Sequence, residues 1–180
     1  MEPAFMLIAS PDAPLRARRS VILVAVHGEG GSLGFVLNRP LSLPLEESLA
    51  SLGIRAPGAR GKTCRGGTTG PDGAWLLFDG EDAPEDSCQL GPNVHVTASA
   101  EATETLLTRC VAPRALLCRG HRAWEAGELN GEIEAGIWFV APLDPQVIFD
   151  APFERRWQHA LCGALGVNAP WLGNFRIASA

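Results

Sequence analysis

Residues 116–142, LLCRGHRAWEAGELNGEIEAGIWFVAP, constrain the fold more than any other part of the chain. Two apolar runs of strand length, Ala115–Cys118 and Ile137–Ala141, lie at the two ends of this segment. Continuous apolar runs are typical of strands in the middle of a sheet that is covered on both faces. The pattern therefore predicts two central strands, one on each side of a polar connection.

The polar connection, Trp124–Glu134, is predicted to be a loop followed by a short helix. On such a helix, apolar residues four apart face the core and the carboxylates between them face solvent. Leu129 and Ile133 are expected to point inward, and Glu128 and Glu132 outward.

Further elements follow from periodicity and from Gly and Pro positions. Ser20–Val26 and Leu33–Leu37 flank a Gly-rich turn and predict a hairpin. Two predicted helices begin near a Pro or Phe and end at a Gly, which readily takes the left-handed conformation of a helix stop. Helices are expected from Pro44 to Gly53, from Glu101 to Arg109 and over Phe153–Leu165, and strands over Trp75–Phe78 and Val94–Thr97.

Length and composition indicate one α/β domain over residues 1–180, with room for two lobes. The chain has 180 residues, of which 46% are hydrophobic, and this suffices for one substantial core. Its net charge of −5 disfavours general affinity for nucleic acid.

The cysteines and the first residues indicate a cytoplasmic protein. The five cysteines are odd in number and include no C-x-x-C pair, a pattern that favours reduced thiols. The early apolar run, Phe5–Ala9, is too short for a signal sequence or a membrane span. We therefore expect no contact with a membrane.

Three motifs resemble ligand sites, but each lacks a feature that its site requires. Residues 56–63 resemble a phosphate loop, but a predicted helix precedes them and none follows. The Gly-rich stretch Gly28–Gly34 leads into a strand, which favours a hairpin turn over a dinucleotide site. His121 and Glu125 would share a face of a helix, yet zinc needs three or four converging ligands. We therefore predict no metal and no cofactor.

Two cysteines are candidates for redox chemistry. Cys110 and Cys118 flank a predicted helix-to-strand connection and could approach each other. Arg119 and Arg122 could lower the pKa of the Cys118 thiol through their positive charge. The interpretation that we favour is that Cys118 is a buried strand residue that acts as a small hydrophobe.

Seven blocks in order and spacing resemble the AlgH/YqgE family of bacterial proteins, which are often described as transcriptional regulators. The resemblance covers nearly the whole chain, and it implies a strongly bent mixed sheet flanked by helices, a cytosolic location and no cofactor. The blocks are Phe5–Pro11, Arg18–Val21, Gly34–Pro40, Gly66–Gly67, Gly120–Ile133, Trp138–Pro142, and Arg156–Trp157 with Leu165–Val167.

The chain departs from the family pattern at four places. Family members usually carry an aromatic residue where Ala17 stands, and Pro where Thr68 stands. Their Gly-Tyr-Ala/Gly segment reads Gly-His-Arg at 120–122, and their usual Gln is Glu128. The resemblance therefore implies a divergent member whose partner or ligand differs from that of its relatives.

The first functional hypothesis is a non-enzymatic regulatory or interaction module that binds a protein or a small ligand in a polar cleft. The alternatives are a thiol switch, a hydrolase-like enzyme that uses His121 with Glu125 or Glu128, and a direct DNA-binding regulator. No residue is assigned as catalytic, and the oligomeric state is left open. The candidate binding residues are Arg19, Ser20, Asn38, Arg39, Gly66, Gly67, His121, Arg122, Trp124, Glu125 and Glu128.

Overall fold

The computed structural model describes residues 3–109 and 114–166. Cys110 and Val167, which the sequence analysis singled out, lie outside the described residues. The strands are β1 Phe5–Ala9, β2 Val21–Gly28, β3 Gly31–Val36, β4 Lys62–Arg65, β5 Thr69–Asp79, β6 Cys88–Gly91, β7 Val94–Thr97, β8 Ala115–Trp124 and β9 Trp138–Pro142. The helices are α1 Leu45–Ala50, α2 Ala100–Arg109, α3 Glu128–Glu134 and α4 Phe153–Leu165, and a π-helical turn spans Gln146–Asp150.

The strands form one strongly curled mixed sheet, as the resemblance implied. Its order is β6-β7-β5-β8-β3-β2-β1-β9, and β4 pairs with β8 beside this path. The β4–β8 pair is parallel, whereas the other described pairs are antiparallel. The hairpin predicted around the Gly-rich turn is confirmed as β2 and β3.

Alternating side chains of β5 and β8 divide the core into two clusters on opposite faces of the sheet. Leu116 and Cys118 belong to the larger cluster, which also contains α4. Leu117 and Ala115 belong to the smaller one, which is covered by α1 and α2. The predicted apolar run of β8 is therefore central, and all four of its residues are buried.

Helix α4 shows how a short sequence pattern determines where a helix begins and ends. Its bounds agree with the prediction, and Gly166 ends it with a φ of 63°. Trp157 donates a hydrogen bond from Nε1 to the Ala9 carbonyl at 2.8 Å, which ties the helix to β1. Arg156 is fully buried and donates to the carbonyls of Leu37 and Ala151. No helix in residues 3–109 and 114–166 is long and apolar enough to cross a membrane.

Four details of the sequence prediction are wrong. β9 pairs only with β1 among the described strands, so it is an edge strand with a half-exposed face and not a central one. β8 runs on to Trp124, which places His121 on a strand and removes the helical face that it would share with Glu125. Glu132 points inward. Strand β6 was missed, because its sequence, Cys88-Gln-Leu-Gly91, carries no strand pattern.

Candidate functional site

The two edges of the curled sheet, β6 and β9, approach each other without pairing. A Cβ placed on Gly91 at the end of β6 would lie 3.3 Å from a methyl carbon of Leu143, which follows β9. Between the edges lies a groove of about 710 Å³, which we call the seam groove. Its lining is mostly apolar and includes Phe5, His27, Leu90, Ile133, Val140 and Leu143.

Val140 is the exposed large apolar side chain among the residues that line this groove. It lies on edge strand β9 and is 52% exposed, which is unusual for a large apolar side chain of a strand. On the groove floor, the His27 ring packs edge-on against Phe5 with centroids 5.6 Å apart. The His27 Nδ1 atom lies 2.7 Å from Ser32 Oγ, which fixes the ring. An apolar groove beside a strand edge that is unpaired among the described residues is a candidate interaction site.

The buried carboxylate of Glu132 connects three elements beside the groove. Glu132 on α3 is 8% exposed and accepts hydrogen bonds from Trp124 Nε1 at 3.0 Å and Trp138 Nε1 at 2.7 Å. Arg122 Nη2 reaches both carboxylate oxygens, at 2.9 and 3.0 Å. The Arg122 guanidinium also lies over both indole rings, with distances to the ring centroids of 4.6 and 5.5 Å. These four residues join β8, α3 and β9.

The charge of Glu132 is stabilised although the side chain is buried. Burial alone would raise the pKa of this carboxyl group. The hydrogen bonds from Trp138 and Trp124, with the positive charges of Arg122 and Arg16, outweigh burial and hold the pKa below its ordinary value. The carboxylate is therefore ionised at neutral pH, and it acts as a fixed acceptor instead of a proton donor.

The predicted binding residues fall into small groups with mainly structural contacts. Asn38 accepts a hydrogen bond from the Val21 amide and donates one to the Arg19 carbonyl. Arg39 donates to the Arg18 carbonyl and to Ser20 Oγ. This group therefore fastens the start of β2 to the end of β3.

The second group lies around His121. Gly66 and Gly67 pass so close to β8 that an added Cβ would lie 2.3 Å from the Gly120 oxygen and 2.0 Å from the His121 oxygen, respectively. The His121 ring packs edge-on against Trp75, and its buried Nδ1 has no hydrogen-bond partner among the described residues. Within that part of the chain, no hydrogen bond joins His121 to either glutamate of the enzyme hypothesis.

The last predicted residues lie at the start of α3. Glu125 and Glu128 are exposed, and a Glu128 carboxylate oxygen accepts a hydrogen bond from the Glu125 amide at 3.0 Å. This contact satisfies a backbone donor near the first turn of the helix. Among the residues that the structure describes, no three His, Cys, Asp or Glu side chains are placed to hold a metal ion.

Sequence reasoning missed Glu132 and the groove for different reasons. Glu132 was assigned to solvent because it is charged. The signal that could have placed it inside was the nearby pair of Trp residues, whose indole N–H groups need an acceptor when buried. The groove joins residues from both ends of the chain, and no local pattern brings Phe5, Leu90 and Val140 together.

The fold and groove define a class of small α+β proteins with a curled, half-barrel sheet and an open seam. Comparison with known proteins confirms the resemblance: the sequence profile of the AlgH-like family matches residues 6–169, and the chain belongs to this family.

Relatives match along most of their length. A UPF0301 protein of Xylella fastidiosa (strain 9a5c) is 33% identical over 170 residues, which cover 91% of this chain and 88% of that protein. One of Xanthomonas campestris pv. campestris (strain B100) is 33% identical over 153 residues, or 83% and 81% of the two chains.

Solved structures agree with the fold. The AlgH protein from Pseudomonas aeruginosa superposes with a TM-score of 0.74 at 28% identity, covering 98% of this chain and 94% of that one. Protein DIP2367 from Corynebacterium diphtheriae, with a TM-score of 0.72 at 22% identity over 90% and 87% of the chains, shares the fold.

Proposed function

We propose that the protein is a non-enzymatic interaction module that binds an extended peptide segment of a partner protein in the seam groove. The observation that carries this proposal is an apolar groove of about 710 Å³ next to a strand, β9, whose outer edge is unpaired among the described residues. An added strand would find backbone donors and acceptors on β9 and apolar contacts on the groove floor.

The geometry favours a strand over other occupants. Phe5 and its cross-strand neighbour Pro142 lie on the same face of the sheet as Val140, so these three side chains form a row along the groove. A peptide with apolar residues at every second position would place them against this row. A flat or helical partner would leave the edge of β9 without hydrogen bonds.

Selection of a displayed random-peptide library on the purified protein tests this site. We expect selected sequences to alternate apolar and polar residues. Val140→Asp should weaken their binding by about tenfold or more, because a carboxylate would be desolvated in the groove. Leu15→Asp is the matched control, since Leu15 is 84% exposed outside the groove. Peptides that bind the Val140 variant as tightly as the wild type would refute the site.

A second candidate function, a thiol switch, is favoured by one distance. Cys118 Sγ lies 3.4 Å from Cys64 Sγ, on strands that hold the two residues in register. The partner of Cys118 is thus Cys64. Both thiols are buried, and burial, followed by the contact with Cys64, raises the pKa of the Cys118 thiol well above its ordinary value. Cys118 is thus the buried strand cysteine that the sequence favours, and the lowered pKa considered for it beside Arg119 and Arg122 is not found.

Treatment with hydrogen peroxide tests the switch. Two thiols would lose two protons and two electrons to form one disulfide, while peroxide becomes two water molecules. Because the pair is buried, we expect the bond to form more slowly than oxidation of exposed Cys88. Peptide mapping without reduction should show Cys64 linked to Cys118. If both are alkylated after unfolding of the treated protein, the candidate fails.

A further inference from the structure

A second cavity lies over β4 and β8, away from the residues that line the seam groove. Its volume is about 390 Å³. It is lined by Leu41, Arg65, Gly67, Thr68, Pro71 and Arg119. Of the binding residues predicted from sequence, Gly67 alone is among these six.

Two arginines from adjacent strands line this cavity. Arg65 on β4 and Arg119 on β8 are register partners on adjacent parallel strands, so their side chains project from the same face of the sheet. Like charges placed directly opposite each other destabilise a sheet. An anion bound between the two side chains would offset this repulsion.

No protein carboxylate supplies that charge within the described residues. The ion pairs formed there use Arg16, Arg114 and Arg122, and none includes Arg65 or Arg119. Arg119 donates from Nη1 to Ser51 Oγ at 3.2 Å, which orients its guanidinium. Its Nε is buried and has no acceptor in the described part of the chain. Because this nitrogen has no solvent exposure, a ligand in the cavity would be held by the charge of the guanidinium group and not by the Nε donor.

The cavity lies where the chain leaves the carboxyl end of β4, the strand that pairs in parallel with β8. The loop that follows Arg65 reads Gly66-Gly67-Thr68, and the exposed residue Thr68 is among those that line the cavity.

We propose that this cavity binds a phosphate group, held between the guanidinium groups of Arg65 and Arg119 with the Thr68 hydroxyl as a further donor. Two guanidinium groups match the two negative charges of phosphate, whereas a carboxylate would neutralise only one of them. The phosphate group is either free phosphate or part of a small phosphate ester. The site is independent of peptide binding in the seam groove.

Calorimetric titration at constant ionic strength tests the site, with inorganic phosphate and glucose 6-phosphate as probes and chloride as the background anion. We expect a Kd of about 1 mM or tighter for at least one probe. Tighter binding of the ester indicates an ester ligand, and tighter or equal binding of phosphate indicates the free ion. The absence of heat for both probes would overturn the proposal.

Matched variants distinguish a specific anion site from a general effect of the protein's positive charges. Arg65→Gln and Arg119→Gln should each weaken binding by about tenfold or more, while Arg60→Gln removes the same charge from an exposed loop and should change nothing. Because Arg65 is exposed, Arg65→Gln is expected to fold. This variant alone therefore tests the site if Arg119→Gln is unstable. Equal weakening by Arg60→Gln and Arg65→Gln would overturn the proposal.

Discussion

Replacing Gly67 with Ala is expected to destabilise the protein by about 3 kcal/mol or more, as severe overpacking does. The added Cβ would lie 2.0 Å from the His121 carbonyl oxygen, 2.1 Å from its carbonyl carbon and 2.4 Å from the Arg122 nitrogen. These are backbone atoms of central strand β8, so they cannot rotate away as a side chain would. For a chain of this size, thermal unfolding should show a fall in Tm of about 6–12 °C.

Gly30→Ala is the control for this prediction. Gly30 lies in the turn between β2 and β3, has no left-handed backbone, and leaves nothing within 4 Å of an added Cβ. Its free energy of unfolding should stay within about 0.5 kcal/mol of the wild type, as for an ordinary surface change, so its Tm should shift by no more than about 1–2 °C. If both variants unfold at the same temperature, the close approach of Gly67 to β8 is absent in solution.

The paired Gly residues illustrate what sequence can reveal. Gly66-Gly67 was selected as a binding motif, and the structure shows a physical reason for both residues that needs no ligand: β4 and its loop lie against the backbone of β8. A Gly pair in the sequence does not show whether a ligand or another segment of the backbone lies close to it. The distinction requires knowledge of which strand lies beside it.

Elements whose signals are local were predictable. Helix α4 has a four-residue apolar repeat and a Gly stop, and the apolar run of β8 is long enough to identify a strand. The position of β9 was not predictable in this way, because an apolar edge strand and an apolar central strand read alike. Val140 lies on this edge strand and is 52% exposed, and the edge position of β9 is a property of topology and not of composition.

The candidate sites show the same limit. Arg65 and Arg119 are 54 residues apart and become neighbours only because β4 adds to β8 in parallel register. Cys64 and Cys118 meet through the same pairing, one position earlier. Proximity along the chain suggested that Cys110 could approach Cys118, but Cys110 lies outside the described residues. Non-local pairing therefore determines both clusters, which lie on opposite faces of the sheet.

Removal of the Glu132 carboxylate is expected to cost about 3 kcal/mol in Glu132→Ala, because two buried indole donors and the Arg122 guanidinium would lose their acceptor. Glu132→Gln keeps the shape and one acceptor oxygen, so it should cost less. Glu134→Gln, an exposed carboxylate of the same helix, is the control and should stay within about 0.5 kcal/mol of the wild type. Urea unfolding at pH 7 measures these differences.

The dependence of the unfolding free energy on pH, measured for the wild type and Glu132→Gln, tests whether the stabilisation depends on the charge of Glu132. The folded pKa of Glu132 lies below its ordinary value of 4.5, so the folded state favours the ionised form. The stabilisation from this charge is fully present above pH 4.5 and is lost as pH falls through the lower, folded pKa. The wild type should therefore lose more stability than Glu132→Gln as the pH is lowered below 4.5, and the two unfolding free energies should converge. A constant difference between them across this range would show that the hydrogen bonds to Glu132 do not depend on its charge.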